Sequence, residues 1–119
     1  MSRSARCGPI ALTNAVANIF NPPTTTGGVN TGLISSSTRA KLYEVSVTNK
    51  DVAAHQFKSY IGATGGSAAG TEYLYGSIPA GETKIFYKET TMEPADFLTA
   101  LSDAPATLTI TIDYDLDIV

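Results

Sequence analysis

The chain has 119 residues, 43% hydrophobic and 16% charged, with eight basic and eleven acidic side chains for a net charge of −3. This bounds it to one domain with apolar material for a single core and excludes a disordered chain. The acidic balance offers nucleic acid no generic attraction, no apolar run reaches the length of a membrane-spanning helix, and Met1-Ser2-Arg3-Ser4-Ala5-Arg6 is followed by Cys7-Gly8-Pro9 where a signal peptide would need an apolar stretch.

Residues 1–10 read as an N-terminal arm made basic by Arg3 and Arg6, preceding a single domain over 11–119. Cys7 is the single cysteine, so no intrachain disulfide forms, and a lone thiol suits a reducing cytosol. Residues 11–20 fit a first strand or a short helix, since Leu12, Val16, Ile19 and Phe20 have helical spacing; Asn21-Pro22-Pro23 ends the element. A long loop over 21–39 follows, rich in Asn, Pro, Thr, Gly and Ser, with a short strand near Leu33-Ile34.

From residue 40 onward the period is two. Tyr43, Val45 and Val47 fall on one face of a strand over 40–48, opposite Glu44, Ser46 and Thr48, and Asn49-Lys50-Asp51 makes a turn. A strand over 55–62 sets Phe57 and Ile61 against Lys58 and Tyr60, and residues 63–70 form a flexible Gly-rich tip. The strand over 71–78 sets Leu74 and Ile78 against Tyr73 and Tyr75; Pro79-Ala80-Gly81 turns into a strand over 83–88. Residues 90–94 connect, residues 95–102 fit either a helical turn or a strand, and 107–114 alternate strictly before an acidic tail, 115–119. The expected fold is all-β: an antiparallel, jelly-roll-like β-sandwich of about seven to eight short strands with an extended N-terminal arm.

Reactive constellations are scarce. His55 is the single histidine and has no Gly-x-Ser-x-Gly elbow to give it a nucleophile, so it reads as structural and the chain as no enzyme. Gly62 to Gly70 lacks the Gly-Lys-Ser/Thr ending of a phosphate loop and joins two strands, so it reads as a hairpin tip. Asp113, Asp115 and Asp117 project from one face of a strand, roughly 6–7 Å from one to the next. Such oxygens suit Ca²⁺, but no glycine and distal Glu complete a loop; the row reads as an anti-aggregation edge or a contact for a basic surface such as the Arg3/Arg6 arm of a neighbour. Tyr60, Tyr73 and Tyr75 are expected to share a face with Phe86, where tyrosine favours a subunit contact. The expected sites are therefore partner or oligomer contacts, at Arg3, Arg6, Tyr60, Tyr73, Tyr75, Asp113, Asp115 and Asp117. No catalytic residue, cofactor or metal is expected.

The order of these pieces resembles a known group. Leu42-Tyr43-Glu44-Val45-Ser46-Val47-Thr48-Asn49 is followed by Tyr60-Ile61-Gly62, then Ile78-Pro79-Ala80-Gly81-Glu82-Thr83, then Met92-Glu93-Pro94-Ala95-Asp96-Phe97-Leu98 and the terminal strand. Residues 40–119 thereby resemble the small β-sandwich virion structural proteins of tailed bacteriophages, with one extra residue in the segment before Leu98. The resemblance implies a capsid decoration, or cement, protein that binds the major capsid protein shell, or a neighbour in the neck or tail. Its implied location is the virion, assembled in the host cytoplasm, and its implied partners are virion proteins and copies of itself, a trimer suiting local threefold positions. A glycan- or receptor-binding sandwich is the competing expectation; neither nucleic acid nor membrane is an expected partner.

Overall fold

A computed structural model describes residues 2–20 and 38–118, and the backbone only of residues 2, 3, 38, 117 and 118. These residues form nine strands and no helix: β1 (Ser2–Ala11), β2 (Ala17–Phe20), β3 (Thr38–Asn49), β4 (His55–Gly62), β5 (Glu72–Ile78), β6 (Thr83–Phe86), β7 (Thr90–Met92), β8 (Phe97–Ser102) and β9 (Leu108–Ile118). They make two antiparallel sheets. The five-stranded sheet runs β1-β9-β3-β6, with β7 also on β3; the four-stranded sheet runs β2-β8-β4-β5. The chain is the antiparallel sandwich that its alternation implied.

Alternation supplies one apolar face per sheet, and the two faces close on each other. Leu108, Ile110, Ile112 and Tyr114 of β9 and Val45 and Val47 of β3 meet Phe57 of β4 and Leu98 and Ala100 of β8, all buried. Phe20 stands edge-on to Tyr114, ring centroids 5.1 Å apart, and Phe57 packs on Phe86 at 5.8 Å. Buried side chains of this size contribute about 1.5–3 kcal/mol each by leaving water.

Several expectations change. Residues 1–10 are not a separate arm: β1 pairs along β9 from Ser2↔Asp117 to Ala11↔Thr109. The reason is a short alternation easily overlooked beside the arginines, in which Ser4 and Arg6 face water while Cys7 enters the core. A register shift between Cys7 and Ile10 accommodates Gly8, whose φ is +98° and where a Cβ would lie 2.7 Å from the Ile110 carbonyl oxygen. Residues 11–20 are neither one strand nor a helix. Leu12 is buried at the crossing between sheets, its N–H donating to the Leu108 carbonyl at 2.9 Å, and β2 follows. The loop over 21–37, with the strand expected near Leu33-Ile34, lies outside the described residues.

Downstream, residues 90–92 pair with β3 instead of merely connecting, and the acidic tail is the end of β9; of the two alternatives for residues 95–102 the strand holds, over Phe97–Ser102. Two bulges decide which side chains share a face. In β3 the register passes from Leu42↔Tyr114 to Glu44↔Asp113, so Tyr43 is the extra residue. Before it the even positions Ala40 and Leu42 enter the core; after it the odd positions Val45 and Val47 do, and Tyr43 does not join them. In β5 the register passes from Ser59↔Leu74 to Tyr60↔Glu72, so Tyr73 is extra.

Candidate interaction surfaces

The Asp row stands on β9 between β1 and β3. Arg6 lies opposite Asp113, Ser4 opposite Asp115 and Ser2 opposite Asp117, while β3 offers Glu44, Lys41 and Arg39 to the same three positions. Within the chain the basic neighbours of this row are therefore Arg6 of β1 and Lys41 and Arg39 of β3. Arg3 stands one position out of step, opposite Leu116. The Ser4 hydroxyl donates to Asp115 Oδ1 at 2.8 Å. Two of the flanking cations make ion pairs off the row: Arg39 Nε with Glu93 Oε2 at 2.7 Å and Lys41 Nζ with Glu89 Oε2 at 3.7 Å. Glu44 and Asp113 are therefore cross-strand carboxyls beside a single arginine, and a hydrogen bond shared with Asp113 holds the Glu44 pKa above the usual carboxylate range. Among the described residues no three His, Cys, Asp or Glu side chains converge as a metal site.

The tyrosines separate. Tyr75 and Tyr60 meet at 78°, centroids 5.9 Å apart, and the Tyr75 hydroxyl donates to Tyr60 Oη at 2.9 Å. That bond, which the charged forms would oppose, pushes the Tyr75 pKa up to about 12. Tyr60 is buried, whereas Tyr75 is 49% exposed with Lys58 Nζ 5.6 Å from its ring centre. Lys58 also lines a groove of about 170 Å³ together with Gln56, Leu101, Ser102 and Asp103. Tyr73 does not belong to this group. As the bulged residue it reaches the other sheet, where its hydroxyl donates to Thr90 Oγ1 at 2.9 Å, and burial raises its pKa. Phe86 likewise packs on the core and not beside Tyr60. The expected shared face of Tyr60, Tyr73, Tyr75 and Phe86 does not form, because the bulge re-aims Tyr73 and the strand of Phe86 pairs with β3 in the other sheet.

The Gly-rich tip is tied down. The Thr99 hydroxyl donates to the Gly66 carbonyl at 2.7 Å, the Thr71 hydroxyl to the Ala68 carbonyl at 2.6 Å, and the Gly70 N–H to the Glu72 carboxylate at 3.0 Å.

His55 is held between two carboxylates that sequence reasoning did not assign to it. Its Nε2 lies 2.7 Å from Asp51 Oδ2 and its Nδ1 2.6 Å from Asp103 Oδ1. Asp103 also accepts the Gln56 N–H, and Asp51 the Val52 N–H. The hydrogen bonds to Asp51 and Asp103 raise the His55 pKa, and the same cluster lowers both aspartates. The imidazolium thus clamps the β3–β4 turn to the end of β8. Asn49 anchors that turn from inside, its Nδ2 donating to the carbonyls of Ala53 at 2.8 Å and Ile78 at 2.9 Å. The spacing Asn49-x-Asp51 was a legible turn signal; the approach of Asp103 across the fold was not.

No family model and no curated protein matches the sequence. Among solved structures, one described as "Bacillus endospore appendages form a novel family of disulfide-linked pili" is similar over 100% of this chain and 88% of its own, with a TM-score of 0.53 at 13% identity. The likeness shows a common fold. A chain in the structure of infectious bursal disease virus Gx strain aligns with 97% of this chain and 28% of its own, at 8% identity and a TM-score of 0.30, a level at which it carries no argument.

Proposed function

We propose that this chain is a structural protein of a virion: a capsid decoration protein of a tailed phage that binds the shell of major capsid protein, acts as a homo-oligomer and carries out no catalysis. The observation that carries the reading is a sealed two-sheet core in a fold shared, over the whole chain, with a pilus structure. Such a scaffold is useful through its surfaces. The order of motifs over residues 40–119 supports the phage setting. His55 supports a non-catalytic role, since both of its ring nitrogens are committed to carboxylates and neither is left to take a substrate proton. Repeated modest contacts over a lattice would give avidity that one contact lacks.

The test is binding to expanded capsids that lack the protein. Attachment accompanied by a higher shell melting temperature is the expected result. Attachment to tails alone would move the protein to the neck or tail, and attachment to neither would sink the reading. The exposed Tyr75 ring, which neighbours the groove-lining Lys58, favours one second reading, a glycan-binding module; soaking with an oligosaccharide panel distinguishes it by binding that Tyr75→Ala abolishes.

A further inference from the structure

Three lysines are gathered along one short stretch of an edge strand. Lys88 Nζ lies 4.8 Å from the centre of the Tyr73 ring, Lys58 Nζ 5.6 Å from that of Tyr75, and Lys84 Nζ 5.2 Å from that of Phe86. Lys84 Nζ also lies 3.2 Å from where a Gly76 Cβ would stand. Each of the three ammonium groups therefore lies beside a side chain or the backbone of residues 73–76 of β5, the outer strand of the four-stranded sheet. All three lysines are exposed, and among the described residues none has a carboxylate within ion-pair distance. The aromatic rings hold the stems in place, so little side-chain freedom remains to be lost on binding.

On the outer face of the other sheet the imbalance has the opposite sign. Glu44, Asp113 and Asp115 make no ion pair among the described residues; Arg6 stands opposite Asp113 in register, and Lys41, opposite Asp115, pairs with Glu89.

We propose that the Lys58–Lys84–Lys88 rim is a docking surface for the Glu44–Asp113–Asp115 face of a second copy of this chain. The two surfaces differ, so the contact is heterologous: each copy uses its rim on one neighbour and its acidic face on another, and copies add in rows or rings. The sequence suggested the Arg3/Arg6 arm of a neighbour as the partner of the aspartates; β1 instead lies beside them in the same chain, and the three lysines offer cations without an ion pair among the described residues.

The purified chain alone tests this, by sedimentation over a concentration series from about 0.05 M to about 0.5 M salt. Self-association that weakens about tenfold or more with salt is expected. Lys84→Glu/Lys88→Glu and Glu44→Lys/Asp115→Lys should each remain monomeric, and mixing the two should restore association, because each then offers the charge the other lacks. Melting curves check that both variants fold; if either melts low, Lys88→Gln and Glu44→Gln serve in its place with partial weakening expected. A chain that stays monomeric at low salt, association indifferent to both reversals, or no rescue on mixing would overturn the proposal. So would association that rises when the lysines are replaced, which would make them guards of the β5 edge. Binding of double-stranded DNA through these lysines without self-association would overturn it as well. The capsid assay is separate: intact shell binding by a strict monomer would remove this contact and leave the decoration reading standing.

Discussion

Asn49 and His55 hold the β3–β4 turn from opposite sides, and each carries a measurable share of stability. Asn49 is buried, and its amide satisfies the Ala53 and Ile78 carbonyls while its Oδ1 accepts the Asp51 N–H. Asn49→Ala leaves those groups without partners in the interior, where each unsatisfied group costs about 1–3 kcal/mol. A loss of roughly 2–4 kcal/mol in a urea titration is the expected outcome. His55 acts through charge. Its folded pKa is raised, so its contribution is complete below the ordinary value of about 6.5 and disappears as pH rises through the folded value. Asp51 and Asp103 are lowered, so theirs is complete above about 3.9 and is lost as pH falls through their folded values. The melting temperature should therefore peak on the mildly acidic side of neutrality. His55→Ala should lower that peak and remove the alkaline decline; a decline of unchanged size in the variant would place its cause elsewhere.

At the scale of elements, β1 and the two bulges matter most. β1 covers one whole side of β9 and delivers Cys7 to the core, so it belongs to the folding unit. Deleting residues 1–10 strips this edge and removes the Cys7 side chain from among Ile112 and its neighbours. Thermal unfolding should then move down by more than about 5 °C, the shift that about 1 kcal/mol produces in a domain of this size. An unchanged melting curve would mean that β1 is a detachable arm after all. The bulges at Tyr43 and Tyr73 have a different effect. Each inserts one residue and exchanges the buried and exposed sets beyond it, which is why Tyr73 reaches Thr90 while Tyr75 remains beside Lys58.

Over the whole molecule, pairing is between residues far apart in the chain. Ser2 meets Asp117, Thr38 meets Ile118 and Ala17 meets Ala100. β4 and β5 pair directly, but β3 and β4, and likewise β8 and β9, are consecutive strands that lie in different sheets, so the core forms only when both sheets are in place. Charge follows the same division: carboxyls collect on the outer face of β3 and β9, lysines along the edge made by β5 and β6. This polarity is what the proposed contact between copies draws on.

Alternation from Leu42 to Asn49, from His55 to Gly62 and from Leu108 to Tyr114 was enough by itself to declare an all-β sandwich with Phe57, Ile110 and Ile112 inside. Burial preference is a local property, written at period two in each segment separately. The sequence by itself also limited the chemistry to one histidine and one cysteine. What became of those groups was decided by the tertiary structure alone. Nothing local signals that Asp103 will reach His55, that β1 will lie beside β9, or that three lysines separated in the chain will border the same residues of β5. Such neighbours are set by strand register and by bulges, and a single inserted residue changes both without altering the hydrophobic pattern on either side.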